Sequence, residues 1–168
     1  MPEPLEQAAV NAATYVMETA AFMTIWTWSE EDGDLPPPDI AATMTFEGAR
    51  QGRLTLRIAS RVLPRLSQNM LGDFEVDESA SDKGQDALKE VLNMICGNLL
   101  TAWYGHAPVF KLHPPEITSA KEYGKAAHPP DINMKFCIEN TLCILEARIE
   151  GDLTTDSASA DTTSSGSR

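Results

Sequence analysis

The hydrophobic and polar positions divide the chain into stretches of two different periods. From about Leu5 to Met23, apolar or small residues recur at Ala9, Ala12, Ala13, Val16, Met17, Ala20 and Ala21, with no internal Gly or Pro. That spacing predicts a helix. The next stretch, MTIWTWSEE, is rich in β-branched and aromatic residues. It fits either a short strand or the frayed end of the helix. Asp32 to Pro38, with Gly and three prolines, continues neither. Ala41 to Phe46 alternates, Glu47 to Gly52 turns, and Arg53 to Ile58 alternates again with Leu54, Leu56 and Ile58 on one face. This predicts a hairpin with one buried and one polar face.

Leu63, Leu66, Met70 and Leu71 stand at helical spacing in a short helix ended by Gly72. Phe74 to Lys83 is an acidic, Ser-containing connection. A long central helix follows from about Ser81 to Tyr104, with Ser81 or Asp82 as cap and Gly105 as stop. APVFKLHPPEITS offers a short extended piece and a Pro-Pro corner. Asp131 to Glu139 and Thr141 to Ile149 then form a second strand pair joined around Glu139 and Asn140. From 151 to 168 the chain is polar and of low complexity, which predicts a disordered tail after one folded domain over 1–150. The order of elements predicts an α+β fold, a mainly antiparallel sheet with helices packed on one face. At least one sheet edge is left open, so a homodimer through sheet edges is expected.

Composition and charge narrow the partners. The 168 residues carry a formal net charge of −12, which argues against a nucleic-acid partner. No run approaches the ~18 apolar residues of a membrane helix, so no membrane partner is expected. The N-terminal stretch lacks a basic region and carries Glu3, Glu6 and Glu18, unlike a signal peptide. Cys96, Cys137 and Cys143 cannot all pair within one chain, and their spacing matches no zinc site. Buried thiols in a reducing cytoplasm are the expectation. His106, His113 and His128 sit in Pro- or Gly-rich loops with no ligand partners at useful spacing. Trp26, Trp28 and Trp103 are read as core or interface anchors.

The chemistry concentrates on DALKEVLNMICGNLLTAWYG, Asp86 to Gly105. At ~100° per residue, Leu88, Val91, Leu92, Ile95 and Leu99 gather on one side. Asp86, Glu90, Asn93 and Gly97 fall opposite, within about 60° of each other by the same arithmetic. A solvated helix face explains such a row in general. Asn and Gly, however, are poor residues for a helix interior, Gly costing ~1 kcal/mol relative to Ala. Gly97 also removes the side chain that would shield Asn93 from an approaching surface, and Met94 lies close enough to line that surface. A carboxamide is neither nucleophile nor base, but it can hold a water by one accepted and one donated hydrogen bond. A carboxylate one turn away can pair with a partner's cation. The two suit hydrolysis of a phosphoryl group presented by another protein.

The pattern Asp86-x-x-x-Glu90-x-x-Asn93, continued as NMICGNLL, resembles the signature of the CheX/CheC/FliY family of response-regulator phosphatases. The hairpin MTFEGARQGRLTLRIAS, the helix LSQNMLG and the downstream Pro114-Pro115 are similar to the family as well, and the likeness spans about residues 5 to 150. It implies a CheC-like fold and a phosphorylated CheY-like receiver as partner. It implies that Asn93 orients the water attacking the aspartyl-phosphate, and that Glu90 pairs with the receiver's lysine. Met94 and Gly97 would touch the partner, and Asp86 would either cap or contact the partner's edge. No cofactor is expected on this chain, since the Mg²⁺ of the reaction would be the receiver's own. The first helix offers Glu6 and Asn11, which are not at i,i+3, so one site is expected; that favours a CheX-type dimer. Two alternatives remain open at this point: a module that binds the phosphorylated receiver without turnover, and a flagellar-switch component of the FliY kind. The latter is expected to carry an additional switch-binding domain, which counts against it here.

Overall fold

The computed structural model describes residues 3–72, 80–120 and 128–151. Among the described residues, seven strands form one sheet in which every pairing is antiparallel. In chain order they are β1 (Trp26–Thr27), β2 (Ile40–Glu47), β3 (Gly52–Ile58), β4 (Lys111–Leu112), β5 (Glu116–Ser119), β6 (Ile132–Ile138) and β7 (Thr141–Ile149). Their order across the sheet is β1, β6, β7, β3, β2, with β4 and β5 both lying along the outer edge of β2. The two hairpins predicted from alternation thus meet in the middle, β3 beside β7. Glu139 and Asn140 join β6 to β7 with φ of 48° and 58°. Positive φ at both central residues is what a two-residue turn needs to match the twist of its strands. It sets Ile138 opposite Thr141 and fixes the register of the pair.

Three helices cover one face of this sheet: α1 (Leu5–Thr19), α2 (Leu63–Leu71) and α3 (Ala80–Tyr104). α3 packs against both of the others and over β2 and β3. Its Leu88, Val91, Leu92, Ile95 and Leu99 are buried among Leu54, Leu56, Ile58, Phe136 and Leu145 from the strands. Each such side chain contributes roughly 1.5–3 kcal/mol of transfer free energy. The inner face of α3 is therefore fixed by the core, and its outer face is fixed with it. No helix among the described residues is long and apolar enough to cross a membrane.

Several boundaries differ from the sequence reading. α1 stops at Thr19, not Met23, because Phe22 takes φ 52° and Met23 N–H donates to the Met17 carbonyl at 2.9 Å. The ambiguous stretch after it is the strand β1, with Met23 and Ile25 buried and Trp26 turned outward. Leu71 is exposed, since α2 ends with Gly72 in the left-handed region at φ 66° before that position can face the core. α3 begins at Ala80, which puts Ser81 and Asp82 inside its first turn instead of at the cap. Asp82 there still complements the positive end of the helix dipole. The expected acidic connection, apart from its last residues, lies outside the described residues, as does the expected tail beyond Gly151.

The face of the sheet away from the helices is also less polar in character than alternation implies. Ala41, Thr55 and Glu146 are buried on it. Glu146 is paired there with Arg57, on the neighbouring strand, at 2.9 Å. A buried carboxylate needs such a partner to offset desolvation.

Candidate docking site on the central helix

The outward residues of α3 follow the helical period. Asp82, Asp86 and Glu90 are exposed, and Asn93, Met94, Gly97 and Asn98 are half-buried. Ala87, Leu88, Val91, Leu92, Ile95 and Cys96 between them are buried. Asp86, Glu90, Asn93 and Gly97 thus share the exposed face as one row, and Met94 beside it packs partly against the core.

The four members differ in what they are bonded to. Asp86 takes Lys89 at 3.3 Å, an exposed i,i+3 pair of small energetic weight. Among the described residues, neither the Glu90 carboxylate nor the Asn93 carboxamide has a side-chain hydrogen bond or ion pair. Their Cβ atoms, one turn apart, stand ~5–6 Å from each other. A methyl group added at Gly97 would meet nothing within 4 Å, so the glycine leaves open space beside Asn93 and relieves no clash within the fold. Asn98 donates to the Met94 carbonyl at 2.8 Å, which closes the helix backbone around this weak position.

Lys89 and Asn98 were passed over in the sequence reading. Their signals were legible: a charge three residues from Asp86, and an amide four residues from a backbone acceptor.

Burial pushes the thiols of Cys96 and Cys143 up to about 12, and all three cysteines are free. Burial also raises Cys137, with the Asp32 carboxylate adding to the effect. His113 lies 3.6 Å from Glu47. No group of three or more His, Cys, Asp or Glu able to hold a metal occurs among the described residues. Trp103 and Tyr104 meet edge to face at 4.6 Å, and Trp103 packs on the core as its place on the helix suggested. Trp28 lies under the Lys135 ammonium at 5.2 Å. Pro114 and Pro115 separate β4 from β5 on the edge of the sheet.

This geometry offers a presented carboxylate and a presented carboxamide on a rigid support. It offers no activated nucleophile, since no base adjoins a hydroxyl or thiol on the row. A carboxylate so presented can pair with a cation, and a carboxamide can hold a water by one accepted and one donated hydrogen bond.

Comparison with known proteins places the chain in a family and a fold. The family described as "Chemotaxis phosphatase CheX" matches residues 40–137, from the start of β2 through all of α3 and nearly all of β6. No curated protein matches the sequence. Among solved structures, a chemotaxis protein CheX from Desulfovibrio desulfuricans is similar with a TM-score of 0.66 and 20% identity. The match covers 87% of this chain and 99% of that one. A CheC-like superfamily protein from Shewanella sp. PV-4 gives 0.63 and 21%, over 90% and 100% of the two chains. The CheX–CheY–BeF3–Mg²⁺ complex from Borrelia burgdorferi gives 0.59 and 14%, over 88% and 99%. At these identities the structural likeness speaks for the fold.

Proposed function

Because the chain belongs to the chemotaxis phosphatase CheX family, we propose that it dephosphorylates a CheY-like response regulator through the outer face of α3. Asn93 enters the receiver's active site and orients the water that attacks the aspartyl-phosphate in line. Glu90 pairs with the receiver's lysine and so fixes where the carboxamide lands. Asp86, Met94 and Gly97 contact the receiver around these two. The Mg²⁺ of the reaction belongs to the receiver in this reading, and this chain brings no cofactor. The rate gain comes from positioning and electrostatics, as is general for phosphoryl transfer.

One observation carries the reading. Glu90 and Asn93 stand one turn apart on the exposed face of a core-anchored helix, inside the matched stretch, with no partner for either side chain among the described residues. A CheX protein solved in complex with CheY supports a partner of that kind. The same reading includes a homodimer through sheet edges, for which β5 is the longest free edge strand; sedimentation of the full chain tests it.

The decisive measurement is the lifetime of the aspartyl-phosphate on a receiver domain, alone, with the wild-type chain, and with Asn93→Ala. Shortening by the wild type and not by the variant supports the phosphatase. An equal lifetime in all three sinks it and leaves a binding module.

A further inference from the structure

A second polar site lies on the opposite side of the sheet from α3, where β2, β3 and β7 end together. A cleft of about 380 Å³ opens there, and Thr45, Glu47, Arg53, His113, Arg148 and Glu150 are among its lining residues. Arg53 and Arg148 are register partners on adjacent strands, and Thr45 is the partner of Arg53 on the other side. Directly paired residues leave an antiparallel sheet on the same face, so the two arginines rise side by side. Like charges so placed repel each other.

A chain with 25 Asp and Glu residues against 13 Lys and Arg has acid to spare for such a pair. None is supplied. Among the described residues no carboxylate lies within ion-pair distance of Arg53 or Arg148. Arg148 donates to the His128 carbonyl. Arg53 has no hydrogen bond at all among the described residues. Glu47 is drawn to Lys111 at 3.7 Å and to His113 at 3.6 Å, which answers its charge from its own side.

One further observation fits an occupied cleft. An adjoining hollow of about 450 Å³ shares Thr45, Arg53 and His113 and reaches Thr118. The Thr118 hydroxyl is buried without a hydrogen-bond partner, a state that ordinarily costs ~1–3 kcal/mol.

We propose that this cleft binds a small oxyanion ligand, phosphate- or carboxylate-bearing, whose charged group sits between the guanidinium groups of Arg53 and Arg148. Planar guanidinium forks match the oxygens of either anion by paired hydrogen bonds. The site is separate from the docking row, which faces away on the other side of the sheet.

The test is an amide NMR titration of the full chain with inorganic phosphate and, separately, with acetate, at constant ionic strength. Saturable shifts at Thr45, Arg53, His113 and Arg148, with Glu90 and Asn93 unmoved, are expected. Saturation by phosphate alone assigns a phosphoryl ligand, and saturation by both assigns a general oxyanion site. Arg53→Gln should weaken binding about tenfold, the weight of a charge-assisted pair. Arg53 is exposed, so its unfolding midpoint should match the wild type. Shifts that never saturate, or equal binding by Arg53→Gln, overturn the proposal.

Discussion

Two helices lie against each other on the same face of the sheet, and their outward sides treat polar groups differently. On α1, Asn11 accepts from Gln7 at 2.9 Å and donates to Glu3 at 2.9 Å. Its carboxamide is consumed by its own neighbours. On α3, Asn93 and Glu90 have no such neighbours among the described residues. Both helices carry an Asn and a Glu outward, and both bury a small or apolar stripe inward. What separates them is unused hydrogen-bonding capacity at a spacing of one turn. A residue type alone does not make a docking site.

The sharpest way to break this contrast is Asn93→Ala. It should reduce receiver dephosphorylation on the order of 10²-fold, the usual loss when one positioning or stabilising group is removed. The unfolding free energy should stay within ~0.5 kcal/mol of wild type, because Asn93 supports nothing in the fold. Glu90→Gln should cost roughly tenfold, the weight of a charge-assisted pair. That loss should appear in KM more than in kcat and shrink as salt screens the wild-type attraction. Next, Gly97→Ala places a methyl group in open space. Chemical denaturation should show a gain of up to ~1 kcal/mol from helix propensity, while affinity for the receiver falls a few-fold. A variant both stabler and equally active would show that the space beside Asn93 is not used. The smallest effect belongs to α1. Asn11→Ala should leave dephosphorylation unchanged and alter stability by no more than about 1 kcal/mol. A large loss of activity there would erase the distinction between the two helices.

Much of this was legible in the chain, and the reason is periodicity. The stripe of Leu88, Val91, Leu92, Ile95 and Leu99 predicts the buried side of α3, and the same arithmetic puts Asp86, Glu90, Asn93 and Gly97 outside, as the structure has them. The hairpins of β2 with β3 and of β6 with β7 followed from alternation and turn chemistry. What failed was local or non-local in a way a pattern cannot carry. The end of α1 depends on one residue, Phe22, entering the left-handed region. The burial of Glu146 depends on Arg57, a residue on another strand. Pairing of β3 with β7 joins residues 87 to 97 positions apart, among them Arg53 with Arg148. Hydrophobic spacing within a segment says nothing of such neighbours.

α3 is clasped by α1 and α2 and underlain by β2 and β3. Its outward row therefore has no backbone freedom to lose when a receiver arrives. The proposed docking would immobilise a few side chains, Glu90 and Met94 foremost, at ~0.5–1.5 kcal/mol each. A loop-borne site would also have to order its backbone, at ~1–2 kcal/mol per residue. Encounter with this helix should thus be a rigid-body event, whose on-rate depends on ionic strength and not on a slow rearrangement of this chain.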